Sequence, residues 1–350
     1  MSLEVVDEEL RIFPKERMIP EIKPKTFILF PYELNFKMRE SFEIKEAETI
    51  TLIKLHLQKF KKAYVASSHG KDSIVMVHLI WRCCKELKIP MIEVWLNNTL
   101  NIYKEEKPYW DLFNKWLGIE DKFRVFTPPG NQTVWSIAKK VGHLPNFRAT
   151  AQHIKNSFIR TNVPECCNIL KKQSIKEFLK GLPMDERYDL HFVGTRAEES
   201  RIRSLGVLQR CRSYEIKTRF PYPIRVLTPL SYWRAVDVLE YFHRYNIPKN
   251  PTYAVHNIKR MGCASCPAYK GWEINMANDP TAQGFGMLKK NLSILKDTES
   301  ERFTVSIKVL QKYLKNKKSK ELSNDNRTRL IELLQGFDNR VLITDFGTVR

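Results

Sequence analysis

A short apolar segment that runs into a polar loop constrains the fold of this 350-residue chain more than any other feature. Residues 62–66 (KAYVA) are apolar and β-prone, Ser68-His69-Gly70-Lys71-Asp72-Ser73 follows, and Ile74 to Cys84 has an apolar helical pattern. A strand, a small-residue loop and a helix in this order open a parallel α/β sheet. Such a loop lets backbone N–H groups approach an anion, and the helix dipole favours negative charge there. Taken alone, the same residues could also form only a tight turn.

Further strand patterns alternate with helical ones along the next 170 residues. Apolar runs at 91–96, 123–126 and 190–193 are strand candidates, and 43–60 has apolar residues near helical spacing. Leu227 to Leu230 leads to a helical pattern from Ser231 to Leu239, for which Ser231 is the predicted cap. The alternation predicts a doubly wound parallel sheet, with ligands bound at the carboxyl ends of its strands.

Changes in composition divide the chain into three regions. Residues 1–44 carry four prolines and no steady period, which indicates an N-terminal arm. Residues 45–270 hold the α/β pattern, and 271–350 form a basic helical C-terminal extension. The extension has a cluster of five lysines, Lys312, Lys315, Lys317, Lys318 and Lys320. This cluster is either a solvated helix face or a surface that faces nucleic acid.

The charge of the chain favours an anionic partner. Lys and Arg number 59 against 39 Asp and Glu, a formal net charge of +20, and 43% of residues are hydrophobic. This composition excludes a wholly disordered chain. No run of about 18 apolar residues is present, so no membrane span is expected. The acidic N-terminus lacks the apolar stretch of a secretory signal, and we expect a cytoplasmic protein. The basic excess indicates a nucleic acid or another polyphosphate as partner, although it could serve solubility alone.

The seven cysteines occur mainly as pairs. They are Cys83-Cys84, Cys166-Cys167, Cys263-x-x-Cys266 and the single Cys211. In a reducing compartment such pairs indicate a metal centre rather than disulfides. Cys83 and Cys84 lie on the apolar helix after the loop, where small buried residues are the simpler interpretation.

The loop resembles the PP-loop, Ser-Gly-Gly-x-Asp-Ser, of the ATP pyrophosphatase superfamily. Its Lys-Asp-Ser ending is similar to the phosphoadenylyl-sulfate (PAPS) reductase family, while a Walker A loop needs a spacing that is absent here. His69 departs from the pattern, because it stands where the family has its first glycine. A side chain at this position would narrow the pocket or contact the phosphate.

Other motifs follow in the order of the same family and extend the resemblance over about residues 45–270. Asn98-Thr99 is similar to the family's Asp-Thr pair, and Tyr103 and Glu106 follow near the place of its aromatic and acidic residues. Gly194-Thr195-Arg196-Ala197-Glu198-Glu199-Ser200-x-x-Arg203 resembles the Gly-x-Arg-x-x-Glu-Ser-x-x-Arg signature. Asn250-Pro251-x-Tyr253 and Gly262-Cys263-x-x-Cys266-Pro267 are similar to the C-terminal half.

The resemblance implies an adenine nucleotide alpha hydrolase-like fold and a site that binds ATP or an adenylyl nucleotide. The loop residues Ser68, His69, Gly70 and Ser73, with Asn98, Thr99 and Gly194, would bind the nucleotide. Four further residues would be catalytic, namely Lys71, Asp72 near Mg²⁺, and Arg196 and Arg203 as partners of the leaving group or sulfate.

Cys166, Cys167, Cys263 and Cys266 resemble the cysteine set of adenylyl-sulfate (APS) reductases, which carries a [4Fe–4S] cluster. Lys171-Lys172 is also similar to the basic segment of that family after its cysteine pair. The ligand type leaves zinc and the absence of a metal as alternatives.

The function implied for this chain depends on whether it has the nucleophilic thiol of the reductases. No segment of the sequence matches the motif that carries this thiol in the family. Reductases carry their nucleophilic cysteine in a Glu-Cys-Gly-Ile/Leu-His motif, whereas no cysteine follows Cys266 and the surroundings of Cys211 match nothing in the family. We therefore expect an iron–sulfur ATP pyrophosphatase or sulfurtransferase that modifies DNA or tRNA, with a sulfur-donor protein as partner. The alternatives are an APS/PAPS reductase and a non-catalytic nucleic-acid-binding or regulatory protein; the oligomeric state is left open, with a homo-oligomer allowed.

Overall fold

A six-stranded sheet in the order β3-β2-β1-β4-β6-β5 forms the centre of the molecule. The computed structural model describes residues 28–145, 165–217, 221–269, 271–315 and 322–337. The strands are β1 Ala63–Ala66, β2 Glu93–Asn97, β3 Phe123–Phe126, β4 Leu190–Val193, β5 Ser213–Ile216 and β6 Ile224–Leu227. β5 pairs antiparallel with β6 at one edge, and the other pairs are parallel. The strand order reverses between β1 and β4, which is where a doubly wound sheet opens a crevice for a ligand.

Helices connect the strands and extend beyond them. Those before residue 270 are α1 Pro31–Arg39, α2 Phe42–Lys59, α3 Lys71–Leu87, α4 Glu106–Leu117, α5 Val134–Val141, α6 Glu165–Asn168, α7 Ser174–Gly181, α8 Arg201–Arg210, α9 Ala235–Arg244 and α10 Thr252–Val255. A π-helical segment, Ile169–Gln173, joins α6 to α7. The remaining helices are α11 Trp272–Ala277, α12 Ala282–Thr298, α13 Ser300–Lys315 and α14 Asn324–Phe337. The expected helical C-terminal region is thus confirmed.

Both faces of the sheet are covered. On β1, the buried Val65 belongs to a core with the apolar side chains of α2, α3 and α4. Its neighbour Tyr64 points to the opposite face, where it stacks on Trp95 and shares a second core with Ile175 and Leu179 of α7. Side chains alternate across a strand, so two buried neighbours require a layer on each side. The predicted doubly wound α/β fold is confirmed.

The sheet edge and the helix after β6 differ from the sequence prediction. β5 has no predicted counterpart, because its four residues, SYEI, have no continuous apolar run. The helix after β6 begins at Ala235 rather than Ser231, and the predicted serine cap is wrong. Ser231 instead donates its hydroxyl to the carbonyl of Thr228 at 2.7 Å. The cap is a carboxylate oxygen of Asp237, which accepts from the backbone N–H of Arg234 at 2.6 Å.

The four C-terminal helices form a core of their own that reaches into the α/β region. Leu288, Leu310 and Leu330 are fully buried in this core, and Tyr103 and Ala264 from the preceding sequence belong to it. Most of the predicted N-terminal arm, and Lys317, Lys318 and Lys320 of the lysine cluster, lie outside the described residues. No helix in the described part of the chain combines the length and apolarity needed to cross a membrane.

Candidate active site

The loop between β1 and α3 places backbone and hydroxyl groups at the carboxyl edge of the sheet. Ser67 continues the sheet, because its N–H donates to the carbonyl of Trp95 at 2.8 Å. Gly70 is the N-cap of α3, so the first N–H groups of a 17-residue helix point toward the loop. The Ser73 hydroxyl donates to the Gly70 carbonyl at 2.9 Å and lies 3.4 Å from the Ser68 hydroxyl. The loop therefore has the predicted form, a helix start whose geometry suits an anion.

The side chain of His69 points away from this loop. Its φ of 50° lies in the left-handed region that favours glycine, which agrees with the glycine at this position of the family pattern. The imidazole is fully buried and packs edge-on to Phe113 and Phe123. Burial lowers the pKa of His69 to about 4. His69 therefore contributes only its backbone groups to the loop. Its side chain neither narrows the pocket nor contacts a phosphate there.

Gly194, at the end of β4, brings that strand against the start of α3. A Cβ atom at this position would lie 3.0 Å from the carbonyl oxygen of Asp72 and 3.1 Å from the Cα of Ser73. Both neighbours are backbone atoms, which cannot rotate away. A glycine is required for this approach, and it sets the distance between the α3 N-terminus and the loop that carries Arg196.

These elements enclose a pocket of about 240 Å³, which we call the anion pocket. Its side chains are predominantly basic, with five cations against two carboxylates. They are Lys71, Arg196, Arg203, Lys259 and Arg260, with Asp72 and Glu199. The volume is below the roughly 300–1,000 Å³ of pockets for whole drug-sized ligands, so it suits the phosphate end of a nucleotide.

The five cations are not equivalent. Arg196 is only 5% exposed and donates to Asp72 at 2.5 Å and to Glu198 at 2.6 Å. Arg203 pairs with Glu199, and burial lowers its pKa. By contrast, Lys71, Lys259 and Arg260 make no ion pair with a carboxylate among the residues that the structure describes. The uncompensated positive charge of the anion pocket therefore comes from these three side chains.

Asn98 and Thr99 do not line the anion pocket. Asn98 follows β2 and accepts from the N–H of Leu100 at 3.0 Å, which stabilises a local turn. The Thr99 hydroxyl lies 3.4 Å from the sulfur of Cys263. Of the expected nucleotide-binding residues, Thr99 therefore lies toward a cysteine, and neither of the two lines the anion pocket.

The four predicted ligand cysteines lie within electrostatic range of one another. The pKa of Cys167 is lowered to about 6 by a hydrogen bond from Cys166 and by Lys171 and Lys172, while burial raises that of Cys266 to about 11. Lys171 lies in the π-helical segment directly after the pair, and the charges of Cys263 and Cys167 raise its pKa. Thiolates beside a cation are suitable donors for an iron–sulfur cluster. In the described ranges, however, no three His, Cys, Asp or Glu side chains already converge on one metal position.

A second cavity of about 500 Å³ lies on the other side of Lys259 and Arg260, and we call it the thiol cavity. Cys263 and Cys266 line it, while Cys166 and Cys167 do not. Aromatic and amide side chains complete the wall, including Tyr103, Tyr269, Trp272, Asn275 and Asn278. Lys259 and Arg260 line both cavities and so lie between them.

Lys259 and Arg260 were not predicted as site residues. The only signal was their position, a basic dipeptide two residues before Gly262-Cys263 in an otherwise recognisable motif. Tyr253 belongs to the Asn250-Pro251-x-Tyr253 motif but is not among the predicted site residues. Its hydroxyl accepts from the N–H of Lys71 at 3.0 Å. Glu106 accepts from the N–H of Tyr103 at 2.9 Å, and burial raises its pKa to about 7.

Fold and loop together have the features of the PP-loop class of α/β proteins. The chain belongs to the phosphoadenosine phosphosulfate reductase domain family, whose model matches residues 62–269. A curated relative, sulfate adenylyltransferase subunit 2 of Saccharophagus degradans, is 26% identical over 224 residues. That match covers 59% of this chain and 65% of the relative, so this chain spans less than two thirds of the relative's length.

Two solved structures show weaker overall likeness. The PAPS reductase of Candida auris has 15% identity and a TM-score of 0.41, covering 68% of this chain and 97% of that one. A U34-tRNA thiolase of Methanococcus maripaludis, solved with its [4Fe-4S] cluster, has 15% identity and a TM-score of 0.33. The thiolase match covers 74% of this chain and 80% of the thiolase. At these scores the likeness carries no functional inference.

Proposed function

We propose that this protein binds ATP in the anion pocket, transfers the adenylyl group to a nucleic-acid acceptor with release of pyrophosphate, and delivers sulfide-level sulfur from a donor protein to the activated position, where it displaces AMP. The observation that carries the proposal is the charge of the pocket, where five basic side chains face two carboxylates at the start of α3. A pyrophosphate leaving group is more highly charged than a sulfite or a single phosphate. Three cations without a carboxylate partner suit such a group.

The residues divide the work by their charge state. The α3 N-terminus and the hydroxyls of Ser68 and Ser73 would hold the phosphates. Lys71 and Arg260 would neutralise the leaving pyrophosphate, because neither is already paired with a described carboxylate. Arg196 would position Asp72, whose other carboxylate oxygen would hold Mg²⁺ together with the substrate phosphates.

Cys166, Cys167, Cys263 and Cys266 would hold a [4Fe–4S] cluster, which would bind the sulfur to be transferred. Lys171 would balance the negative charge of the thiolates, since its pKa is raised by them. The only precedent for this assignment is the resemblance of the cysteine motifs to those of the family. Its direct test is iron and acid-labile sulfide analysis after anaerobic purification, compared between the wild type and Cys263→Ser.

The test of the whole proposal is a substrate panel on the full chain, purified without oxygen. ATP, adenylyl sulfate and its 3′-phosphate are supplied with and without DNA or tRNA, and pyrophosphate and sulfite are measured. Pyrophosphate release from ATP that requires nucleic acid is the expected result. Sulfite release would show a reductase instead, and nucleic-acid binding without turnover would show a non-catalytic protein.

A matched pair of variants links the activity to the anion pocket. Arg260→Gln removes an unpaired cation of the pocket, whereas Arg39→Gln removes an exposed one on α1. Loss of a charged hydrogen bond costs about 1.5–3 kcal/mol, so Arg260→Gln should lower activity roughly ten-fold or more. Equal activity in the two variants would contradict the role of the pocket.

Sulfate is the second candidate acceptor. It is favoured by the name of the curated relatives, sulfate adenylyltransferase subunit 2, and by a pocket small enough for an oxyanion. Both reactions release pyrophosphate from ATP, so the acceptor alone distinguishes them. Pyrophosphate release that depends on sulfate, and not on nucleic acid, would identify this activity.

The reductase alternative receives less support from the position of Cys211. This residue is the C-cap of α8, and burial raises the pKa of its thiol. It lines neither the anion pocket nor the thiol cavity. A nucleophilic thiol needs a lowered pKa and access to the substrate sulfur, and Cys211 shows neither.

A further inference from the structure

We propose that the thiol cavity is the binding pocket for one extruded base of the nucleic acid that receives the sulfur. This inference rests on the proposed function, and it adds the place and the chemical class of the acceptor. With about 500 Å³, the cavity lies within the range of roughly 300–1,000 Å³ that is typical of small-molecule sites. It is twice the volume of the neighbouring anion pocket.

The wall of the cavity has the two kinds of group that a base requires. Tyr269 is 41% exposed, with the Arg260 guanidinium 5.8 Å from its ring centroid, and Trp272 is 5% exposed. One ring therefore lies at the mouth and another in the interior. An extruded base is typically stacked between aromatic or apolar side chains and read by hydrogen bonds to its edge. Aromatic rings at this place meet the first requirement.

Amide groups meet the second requirement. The side chain of Asn275 is exposed and has no partner among the described residues, so both its donor and its acceptor are available. Asn278 accepts through its Oδ1 from the Tyr313 hydroxyl at 2.8 Å, which fixes the amide and leaves its NH₂ group for another acceptor. A donor and an acceptor side by side are complementary to the polar edge of a nucleobase.

The far wall of the cavity is held by a buried polar network. His256 is fully buried between the carboxylates of Glu105 and Asp279, at 2.7 Å from each. The Tyr103 ring lies 4.2 Å from the His256 ring, measured between centroids. Every member is fixed by a neighbour, so the cavity keeps its shape without a ligand.

The position of the cysteines decides between an acceptor base and the adenine of ATP itself. Cys263 and Cys266 line this cavity, and sulfur has to reach the acceptor atom but has no need to reach the adenine of a leaving nucleotide. Lys259 and Arg260 stand between the two cavities, where they can contact phosphates on either side. The geometry therefore lets the pyrophosphate end of ATP lie in the anion pocket and the acceptor base in the thiol cavity, with Lys259 and Arg260 beside the α-phosphate to which the base must bond.

The test measures binding of fluorescently labelled DNA and RNA oligonucleotides, single-stranded and duplex, to the full chain by anisotropy. Stacking of a base on one aromatic side chain is worth about 1–3 kcal/mol, so Tyr269→Ala should weaken binding roughly 5- to 150-fold. Tyr269→Phe keeps the ring and should bind within about two-fold of the wild type. Tyr32→Ala, at a 67% exposed tyrosine on α1, is the matched control.

Crosslinking locates the base directly. An oligonucleotide that carries 5-iodouracil, irradiated in complex with the protein, should crosslink to the peptide that contains Tyr269 and Trp272. Asn275→Asp, which removes the amide donor and adds a negative charge, should reduce both the crosslink and the affinity.

Three other results would overturn the inference, each in a distinguishable way. Unchanged oligonucleotide binding in Tyr269→Ala, with crosslinks elsewhere, would refute the cavity and leave the proposed function intact. Weaker ATP binding with unchanged oligonucleotide binding would assign the cavity to adenine. Failure of the wild type to bind any oligonucleotide would refute the proposed nucleic-acid function together with the pocket.

Discussion

The contact between α12 and Asp279 provides the sharpest test of how the C-terminal helices join the α/β region. Gly284 lies in the first turn of α12, and a Cβ atom there would overlap Asp279, lying 2.5 Å from both its Cγ and Oδ2. Two residues further along the same helix, a Cβ at Gly286 would have no neighbour within 4 Å. Gly284→Ala and Gly286→Ala are therefore the same substitution in the same helix with opposite surroundings.

The magnitude follows from what Asp279 holds. Its carboxylate lies 2.7 Å from His256 and accepts from the N–H of Thr281 at 2.8 Å. Ordinary contact with a new Cβ begins at 3.4 Å, so the Cγ and Oδ2 of Asp279 would have to move by about 0.9 Å and its Cβ, the nearest atom, further. Such a shift is incompatible with keeping both bonds. Overpacking costs about 1–3 kcal/mol and a broken buried pair about 3–5 kcal/mol. Since these terms overlap, we expect Gly284→Ala to lose about 3 kcal/mol or more.

Gly286→Ala should instead stabilise the protein by about 0.5–1 kcal/mol, because alanine has the higher helix propensity. The assay is equilibrium unfolding in urea, followed by far-UV circular dichroism, with the free energy of unfolding extrapolated to water. A difference between the variants below about 1 kcal/mol would show that Asp279 does not lie against α12, and the rigid wall of the thiol cavity would be refuted with it.

Three further predictions concern the anion pocket and pH. Gly194→Ala should push β4 away from the start of α3, because the tightest contact of the new Cβ is a backbone oxygen at 3.0 Å. We expect ATP binding, measured by calorimetry, to weaken about ten-fold. An unchanged affinity would show that β4 can shift without disturbing the pocket. Arg196→Leu should destabilise the fold by about 2 kcal/mol, since it leaves Asp72 unpaired. Arg260→Leu should change stability by less than about 0.5 kcal/mol and mainly weaken pyrophosphate binding. A larger loss of stability in Arg260→Leu than in Arg196→Leu, measured by urea unfolding, would contradict this assignment. Acid should destabilise the protein, because burial lowers the pKa of four histidines: His56, His69 and His78, the latter two to about 4, and His191, to about 3. The unfolded chain then binds protons near pH 6.5 while the folded chain does not, so the free energy of unfolding falls from about pH 6.5 to 4, by at most about 1.4 kcal/mol per pH unit for each histidine. Glu106 opposes this trend. Its pKa is raised to about 7, so the stability that it contributes is lost as pH rises through that value. A urea midpoint of Glu106→Gln that stays constant between about pH 4 and 6.5 would refute the histidine account.

The sequence predicted those parts of the fold that are determined by local pattern. β3 and β4 have the predicted bounds, because each is a short segment, FRVF and LHFV, whose β-branched and aromatic residues favour a strand. The loop from Ser68 to Ser73 and the arginine motif after Gly194 do meet at one pocket, since the carboxyl ends of neighbouring parallel strands share an edge.

What the sequence did not predict depends on long-range pairing. β5 becomes a strand only through its hydrogen bonds to β6, and the α9 cap depends on Asp237, which also pairs with the buried Lys45 at 2.5 Å. The direction of the His69 side chain follows from its positive φ. With histidine in place of the family's glycine, the residue type at this position does not indicate a positive φ. Lys259 and Arg260 reach the anion pocket because the chain after α10 lies against the start of α3, where the Lys71 ammonium donates to the carbonyl of Lys259 at 3.1 Å.

The basic character of the chain is easier to interpret once the two cavities are in place. A net charge of +20 spread over helix faces would favour any polyanion equally, and screening would weaken it at physiological salt. Under the proposed function, the charges that would discriminate are Lys259 and Arg260, which line both the anion pocket and the thiol cavity. Residues on both sides of position 270, where we predicted the extension to begin, line the thiol cavity. The helices after that position therefore belong to the architecture of the site, so the contribution of the C-terminal region should be sought first in the shape of this cavity and only then in the charge of its lysines.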